Sequence, residues 1–215
     1  MPAHERALFA RPFYRVMNAL LSYANATLDA SSLEEVRLDS RDPFALAEAS
    51  LVLDALWASP GIVDDFVRRN PADLGEDDLA IARGWRRPLT DAFVFVDAEG
   101  DYATAMNARR LFVVGSLNRR ISSQVRAVPS LVVLTLLPYR GQIVTDGRVI
   151  HLSDHPKPDS GPRIAQLISN VAIRDPIASA DELVAYMRAQ PGSAASSSRL
   201  EGDWLLGPGD EVGNP

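Results

Sequence analysis

The strongest pattern of apolar and polar residues lies between Leu131 and Leu152, in the sequence LVVLTLLPYRGQIVTDGRVIHL. Its first seven residues are almost all branched and apolar, which predicts a buried strand. Turns follow at Pro138–Gly141 and at Asp146-Gly147, with short β-type runs after each. Asp-Gly between two such runs favours a tight hairpin, because a type I′ turn needs positive φ at both central residues. The stretch therefore predicts a buried strand that leads into a hairpin.

The N-terminal half of the chain has helical spacing instead. A capping side chain stands directly before a proline three times, at Asp42-Pro43, Ser59-Pro60 and Asn70-Pro71, which is typical of helix starts. This arrangement predicts helices at about 43–57, 60–69 and 72–85. An earlier helix, at about 7–29, follows from a single apolar stripe. The apolar positions expected to face the core of this half include Phe9, Phe13, Val16, Met17, Leu20, Leu51, Leu53, Leu56, Trp57, Phe66 and Trp85.

β-type sequence begins after Arg86-Arg87-Pro88. Runs of apolar, β-branched and aromatic residues predict strands at about 93–96, 102–106 and 110–115, and the segment 118–128 is compatible with a short helix. Together with the strands of the central stretch, these segments predict about six strands, mostly antiparallel and in sequential order.

The C-terminal part returns to helical patterns. Ser160-Gly161-Pro162 precedes a stripe of Ile164, Leu167, Ile168 and Val171, and Ser179 to Glu182 form a capping box. From Pro191 the chain is rich in Gly, Ser, Ala, Pro and acids, which predicts a flexible tail over 191–215 with Trp204-Leu205-Leu206 as its apolar cluster.

These elements predict an α+β fold in which N-terminal helices pack on a central, mostly antiparallel sheet of about six strands. We expect a single domain over residues 1–190, divided into a helical half at 1–88, a strand-rich half at 89–152 and helices at 160–190. The tail at 191–215 lies outside this domain.

Composition excludes several kinds of chemistry. The 215 residues include no cysteine, which rules out disulfides, thiolate nucleophiles and cysteine-ligated metals. Lys157 is the single lysine and lies between prolines, so Schiff-base and P-loop chemistry are disfavoured. No nucleotide-binding or nucleophile-elbow motif is present, and we expect no cofactor. The catalytic residues of any enzyme activity stay unknown from sequence.

The N-terminus lacks the apolar segment of a signal peptide, and no apolar run approaches the length of a membrane span. We therefore expect a cytoplasmic protein with no membrane partner.

Charge is unevenly distributed along the chain. Residues 107–152 carry a net charge of +6, whereas the remainder carries −12 and the whole chain −6. Acidic helices that neutralise a basic sheet would explain this division, as would an anion-binding face. The arginines that flank the third and fourth strands are the candidates for such a face: Arg109, Arg110, Arg119, Arg120 and Arg140.

A second candidate site is a metal centre. His151, Asp154 and His155 place two imidazoles and a carboxylate within five residues, which are suitable zinc or iron ligands. A polar strand end explains the same residues without a metal, and this interpretation is favoured.

Six short stretches resemble a family of uncharacterised bacterial proteins, in which a helical N-terminal half precedes a β region ending in an LLPF-x-G…DG sequence: Phe13–Met17, Leu56-Trp57, Asn70-Pro71, Trp85–Arg87, Leu136–Gly141 and Asp146-Gly147. The resemblance covers about residues 9 to 152 and implies a fold but no activity and no site residue. Tyr139 stands at the position where the family pattern has phenylalanine, which favours a packing role for its ring.

Three functions remain open from the sequence. We expect a non-enzymatic protein-interaction or regulatory module that uses the basic sheet face, with a protein partner or self-association. Binding of nucleic acid or another polyanion on the same arginines is the first alternative. An enzyme that acts on a small anionic substrate is the second.

Overall fold

The computed structural model describes residues 1–59, 61–153, 169 and 175–190. The helices are α1 (Ala3–Leu28), α2 (Pro43–Ala58), α3 (Ile62–Arg69), α4 (Glu76–Gly84) and α5 (Ala180–Ala189). The strands are β1 (Leu89–Glu99), β2 (Tyr102–Met106), β3 (Leu111–Gly115), β4 (Ser130–Tyr139), β5 (Gln142–Thr145) and β6 (Ile150–Ser153). The predicted α+β class is confirmed.

The strands form one sheet whose first five members close into a ring. β1 pairs antiparallel with both β2 and β4, β2 pairs with β3, and β4 pairs with β5. The ring closes where β3 meets β5 in parallel, at Val114 and Ile143. Because β4 lies beside β1, strands β1 to β4 form a Greek key. The sheet is mostly antiparallel, as predicted, but the return of β4 to β1 departs from the expected sequential order.

β4 divides the structure into two cores. Its side chains alternate, so that Leu134 and Leu136 point into the barrel, whereas Leu137 and Tyr139 point towards the helices. Inside the barrel they meet Phe93, Phe95, Phe112 and Ile143, and Leu183 and Met187 of α5 complete this core.

The helical layer is attached to β4 by aromatic side chains. The ring of Phe13 in α1 lies 5.0 Å from that of Trp85 and 5.4 Å from that of Tyr139. Trp85 donates its indole N–H to the Pro138 carbonyl at 3.1 Å, and the Tyr139 hydroxyl donates to the Phe9 carbonyl at 2.5 Å. The prediction that N-terminal helices pack on the sheet is thereby confirmed.

One of the three predicted helix caps is confirmed. Asp42 accepts a hydrogen bond from the amide of Phe44 at 3.1 Å, but α3 begins after Gly61 rather than at Ser59. Asn70 ends α3 instead of starting α4, with φ of 44° and its side chain bonded to both backbone groups of Leu74. Asparagine tolerates this left-handed conformation, so the Asn-Pro pair marks a helix end here.

The predicted Asp146-Gly147 hairpin is wrong. The turn with two positive φ values is Arg140-Gly141, at 46° and 79°, and it joins β4 to β5. After β5 the chain leaves the sheet, and β6 then pairs with β4 at Val132 and Val133. β5 and β6 thus share one edge of β4. Instead of forming a tight turn, the Asp146 side chain accepts hydrogen bonds from the nearby Arg148 amide and from the indole of Trp57, which is distant in the chain.

In the C-terminal part, the capping box of α5 is confirmed, because Ser179 accepts from the amide of Glu182 while Glu182 accepts from the amide of Ser179. Ile177 pairs in parallel with Phe112 at the edge of β3. Segment 118–128 contains a short 3₁₀ turn at Ile121–Ser123. The predicted helix after Ser160 and the tail at 191–215 lie outside the described residues.

Within the described ranges, no single helix has both the length and the apolar character needed to cross a bilayer. α2 and α3 meet that test only as a pair, with a bend of 98° between them.

We expect Gly147→Ala to lower the free energy of unfolding by about 2–4 kcal/mol. Gly147 has φ of +101°, and a Cβ atom there would lie 2.7 Å from Cδ2 of Leu38. Gly61→Ala is the matched control, because Gly61 has φ of +93° and open space at the same place. In the control, backbone strain alone should lower the free energy of unfolding, by about 1–2 kcal/mol. Urea unfolding measures both, and equal losses would show that the Leu38 contact contributes nothing.

Candidate functional site

The structure separates the five candidate arginines into two places. Arg109 and Arg110 lie in the β2–β3 turn, whereas Arg119 and Arg120 follow β3 at its other end. A strand of this length holds the two pairs about 15 Å apart. Arg140 lies in the β4–β5 turn. Since β3 separates the two pairs, they do not form one compact anion cradle.

Four of these arginines, Arg109, Arg119, Arg120 and Arg140, have different environments. Arg109 donates to the side chain of Gln190 at 2.9 Å, and Arg120 lies 3.9 Å from the carboxylate of Asp101. The guanidinium of Arg140 lies 5.7 Å from the ring centre of Tyr139. Burial and the charge of Asp39 raise the pKa of Tyr14, while the charge of Arg119 acts in the opposite direction. Arg119, Arg120 and Arg140 are exposed.

The positive charge of Arg148 is neutralised in part by a carboxylate of helix α2. Its guanidinium donates to Asp146 at 2.8 Å and to Asp54 of α2 at 2.8 Å. Burial opposes the charge of Arg148, but Asp146 and Asp54 outweigh it and raise the pKa. Asp146 is 1% exposed and also accepts from the indole of Trp57 at 3.1 Å. This group joins α2 to the β5–β6 connection.

The candidate metal site is only partly described. The Nε2 atom of His151 lies 2.9 Å from the carbonyl oxygen of Gln124, as expected of a polar strand end. Asp154 and His155 lie outside the described residues. In the described part of the chain, no group of three or more His, Asp or Glu side chains is arranged to hold a metal ion.

The residues that carry the family resemblance lie mainly at the junction of helices and sheet. Phe13, Trp85 and Tyr139 form its aromatic contacts. Arg15 makes two 2.7 Å hydrogen bonds to Asp78 of α4. Their geometry explains these positions as packing and ion-pair contacts, in agreement with the packing role expected for the Tyr139 ring.

An open pocket lies beside the β1–β2 turn. Asp101, one of the residues that line it, forms ion pairs with the Met1 amino group and with Arg6, whose Nη1 is 3.1 Å away. Two serines fix the turn: Ser116 donates to the Asp101 carbonyl and Ser122 to the Gly100 carbonyl, each at 2.8 Å. The lining residues are Met1, Glu99, Gly100, Asp101, Tyr102, Ala103, Thr104 and Arg120. The sequence analysis did not single out Asp101, because its arginine partners Arg6 and Arg120 are distant from it in the chain.

The exposed face of α2 is the second feature that sequence reasoning missed. Phe44 is 59% exposed and Leu51 is 52% exposed, although Leu51 was expected in the core. The opposite face holds Val52, Leu53 and Leu56, which are buried. α2 is mostly apolar, with Glu48 and Asp54 as its charged residues, so its weak periodicity does not reveal which face points inward.

The chain thus combines a closed Greek-key barrel, a helical layer, an open pocket beside the β1–β2 turn and an exposed face on α2. Comparisons with protein-family models, curated proteins and solved structures find no match.

We expect the stabilising effect of Asp101 to disappear in acid. The hydrogen bond from the Met1 amino group, followed by the charges of Arg6 and Arg120, holds the pKa of Asp101 below its usual value. A lowered pKa means that the contribution is complete above about pH 4 and is lost as pH falls through the folded-state value. Asp101→Asn should therefore be less stable than the unmodified protein at pH 7, and the difference should shrink as the pH falls below about 4.

Chemical denaturation across this pH range measures the difference. Asp97→Asn, at an exposed carboxylate of β1, is the control and should show no comparable gap at pH 7. If the free energies of unfolding of Asp101→Asn and the unmodified protein differed by the same amount at every pH, the electrostatic explanation would be contradicted.

Proposed function

We propose that the protein is a non-enzymatic, cytoplasmic protein-interaction module, and that the exposed face of α2 is its contact surface. The observation that carries the proposal is the exposure of Phe44 and Leu51 on one face of a single helix. Phe44, Ala47 and Leu51 follow one another along this exposed face, and contiguous apolar patches on a surface mark interaction sites. The sequence favoured the basic sheet face, but the apolar character of α2 makes it the better surface.

The α2 face is also held rigidly. Val52, Leu53 and Leu56 anchor the helix from behind, and Arg148 links Asp54 of α2 to Asp146. The indole of Trp57 adds a hydrogen bond to the same aspartate. A surface fixed in this way loses little conformational entropy when a partner binds, which favours affinity.

We expect Phe44→Glu and Leu51→Glu each to reduce capture of a protein partner from the host lysate at least tenfold. A buried anchor side chain commonly contributes 2 kcal/mol or more, and about 1.4 kcal/mol corresponds to a factor of ten. The measurement is a nuclease-treated pull-down with the full chain, quantified by mass spectrometry. Both side chains are more than half exposed, so the variants should fold.

Leu8→Glu on α1 is the matched control, because Leu8 is 56% exposed on a different helix. The proposal requires this variant to keep its partner. Equal recovery by all variants, or equal loss, would count against a contact at α2.

A second candidate function is polyanion binding, and the barrel favours it. Greek-key barrels of five strands include the OB-fold, which binds oligonucleotides on the face of strands 2 and 3, and this analogy is at the level of fold alone. Tyr102 of β2 is 50% exposed and lines the same pocket as Arg120. An exposed aromatic ring beside a guanidinium is a suitable stacking platform. The acids Glu99 and Asp101 in the pocket oppose it.

For this second candidate, binding of a fluorescent single-stranded oligonucleotide should weaken steeply as salt increases. Arg120→Gln should lower the slope of log K against log salt by about 1, because each phosphate contact releases counterions. Arg68→Gln on α3, paired with Asp65 on the helical side, should leave the slope unchanged. Fluorescence anisotropy gives both values, and salt-independent binding would reject this function.

A further inference from the structure

We propose that Arg6 is a positioning residue for the polyanion site beside the β1–β2 turn. By neutralising Asp101 from the protein interior, Arg6 leaves the guanidinium of Arg120 available to a phosphate group. This inference rests on the second candidate function, because it concerns the same pocket. The contacts of the Asp101 carboxylate carry it.

The carboxylate of Asp101 faces three positively charged groups at unequal distances. Its Oδ1 atom lies 3.1 Å from Nη1 of Arg6 and 3.9 Å from Nε of Arg120. Its Oδ2 atom accepts a hydrogen bond from the Met1 amino group. Because 3.9 Å is too long for a hydrogen bond, Asp101 is hydrogen-bonded to Arg6 and to the amino group, whereas Arg120 makes only a charge contact.

The two arginines also differ in exposure. The side chain of Arg6 is 9% exposed and that of Arg120 is 58% exposed. Water weakens the attraction between charges, so the better shielded Arg6 is the stronger partner of Asp101. After the hydrogen bond and charge of the Met1 amino group, the charge of Arg6 lowers the pKa of Asp101 more than that of Arg120 does. Asp101 is therefore neutralised mainly from inside, and the charge of Arg120 is turned to solvent.

The backbone holds the β1–β2 turn against the segment that carries Arg120. Ser116 donates its hydroxyl to the Asp101 carbonyl at 2.8 Å. Ser122 donates to the carbonyl of the preceding residue, Gly100, also at 2.8 Å. Since the two serines flank Arg120 in the chain, the backbones of Asp101 and Arg120 are fixed relative to each other. The ion pairs of the side chains then decide where the guanidinium of Arg120 lies.

The charge balance around the pocket depends on Arg6. Among the described residues, three positive groups (Arg6, Arg120 and the Met1 amino group) accompany the carboxylates of Glu99 and Asp101. Without Arg6 the positive and negative charges would be equal in number. Because an anion is attracted by net positive charge, Arg6 offsets the two acids that oppose polyanion binding.

Loss of Arg6 should redirect Arg120 to Asp101. A shortening of about 1 Å would bring the guanidinium to hydrogen-bond length from the carboxylate. A charge-assisted hydrogen bond of this kind is stronger than a neutral one. A phosphate group would then have to compete with Asp101 for Arg120.

Anisotropy of the fluorescent single-stranded oligonucleotide, measured with the full chain, tests this role. Arg6→Gln should weaken binding about fivefold, which corresponds to about 1 kcal/mol, the attraction of one pair of charges about 4 Å apart in water. In the Asp101→Asn background the same substitution should change the affinity less than about twofold, because no carboxylate remains to capture Arg120 and salt screens the more distant charge. Arg6→Lys should restore binding, since a single nitrogen of Arg6 contacts Asp101.

Arg148→Gln is the matched control for the loss of a shielded arginine. The side chain of Arg148 is 13% exposed and pairs with Asp146 and Asp54, so this variant should keep the affinity of the unmodified protein. Urea unfolding identifies the variants that are folded. Arg6→Gln combined with Asp101→Asn leaves neither charge without its partner, and comparing it with Asp101→Asn alone tests the proposal even where Arg6→Gln by itself is unfolded.

Two results would overturn the proposal. Equal weakening by Arg6→Gln in both backgrounds would show that Arg6 acts without Asp101. Unchanged affinity of Arg6→Gln, in a protein whose binding does depend on Arg120, would show that Arg6 does not affect the site.

Failure of the polyanion function itself is recognised separately. A protein that does not bind the oligonucleotide, or binds it equally well with Arg120→Gln, rejects that function. A double-mutant cycle of Asp101→Asn and Arg120→Gln in urea unfolding then decides the role of Arg6 without a ligand. The coupling between the two residues, as a ratio of unfolding constants, should rise about fivefold when Arg6→Gln is introduced. An unchanged coupling would reject the role of Arg6.

Discussion

The alternation of side chains along β4 is the constraint on which the rest of the structure depends. Leu136 belongs to the barrel core and the adjacent Leu137 to the helical core, so a single strand is buried on both faces. A shift in register by one residue would exchange the two sets and leave both cores wrongly filled. The pairing of β4 with β1 over seven residues and with β5 over four fixes that register. The near-continuous apolar sequence of β4 is what this double burial requires.

Directional polar contacts then fix the helical layer in place on β4. Apolar packing alone would allow the helices to slide, because the hydrophobic effect has no preferred direction. Three hydrogen bonds between groups distant in the chain set the helix positions. The indole of Trp85 positions α4, the hydroxyl of Tyr139 positions α1, and the indole of Trp57 positions α2. With its inner face held in this way, α2 has its outer apolar face turned to solvent.

Local features of the structure could be predicted from sequence, whereas features that depend on distant contacts could not. The cap at Asp42, the capping box at Ser179 and the buried strand β4 are each marked by neighbouring residues. Closure of the barrel depends on β1 meeting β4 more than thirty residues later, and no short pattern encodes that pairing.

Asp146-Gly147 has the sequence of a hairpin, but the carboxylate of Asp146 binds both Trp57 and Arg148 and the chain does not form a tight turn there. Leu51 was assigned to the core because α2 is mostly apolar. The candidate arginines were expected to flank the third strand, but whether they converge on one face depends on the fold, and β3 holds the two pairs at its opposite ends.

The parallel seam between β3 and β5 has a consequence for how the chain assembles during synthesis. Val114 and Ile143 form its one ladder pair, and Ile177 adds two hydrogen bonds to the same edge of β3, through the amide of Val113 and the carbonyl of Leu111. Leu183 and Met187 fill the barrel interior from beyond that point. Helices α1 to α4 and the first strands leave the ribosome well before these residues do. A nascent chain that ends before residue 177 therefore lacks both the edge bonds and the interior side chains that complete the barrel. The N-terminal layer, in contrast, already has most of its core, so its folding can precede that of the barrel by the time taken to translate the last segment.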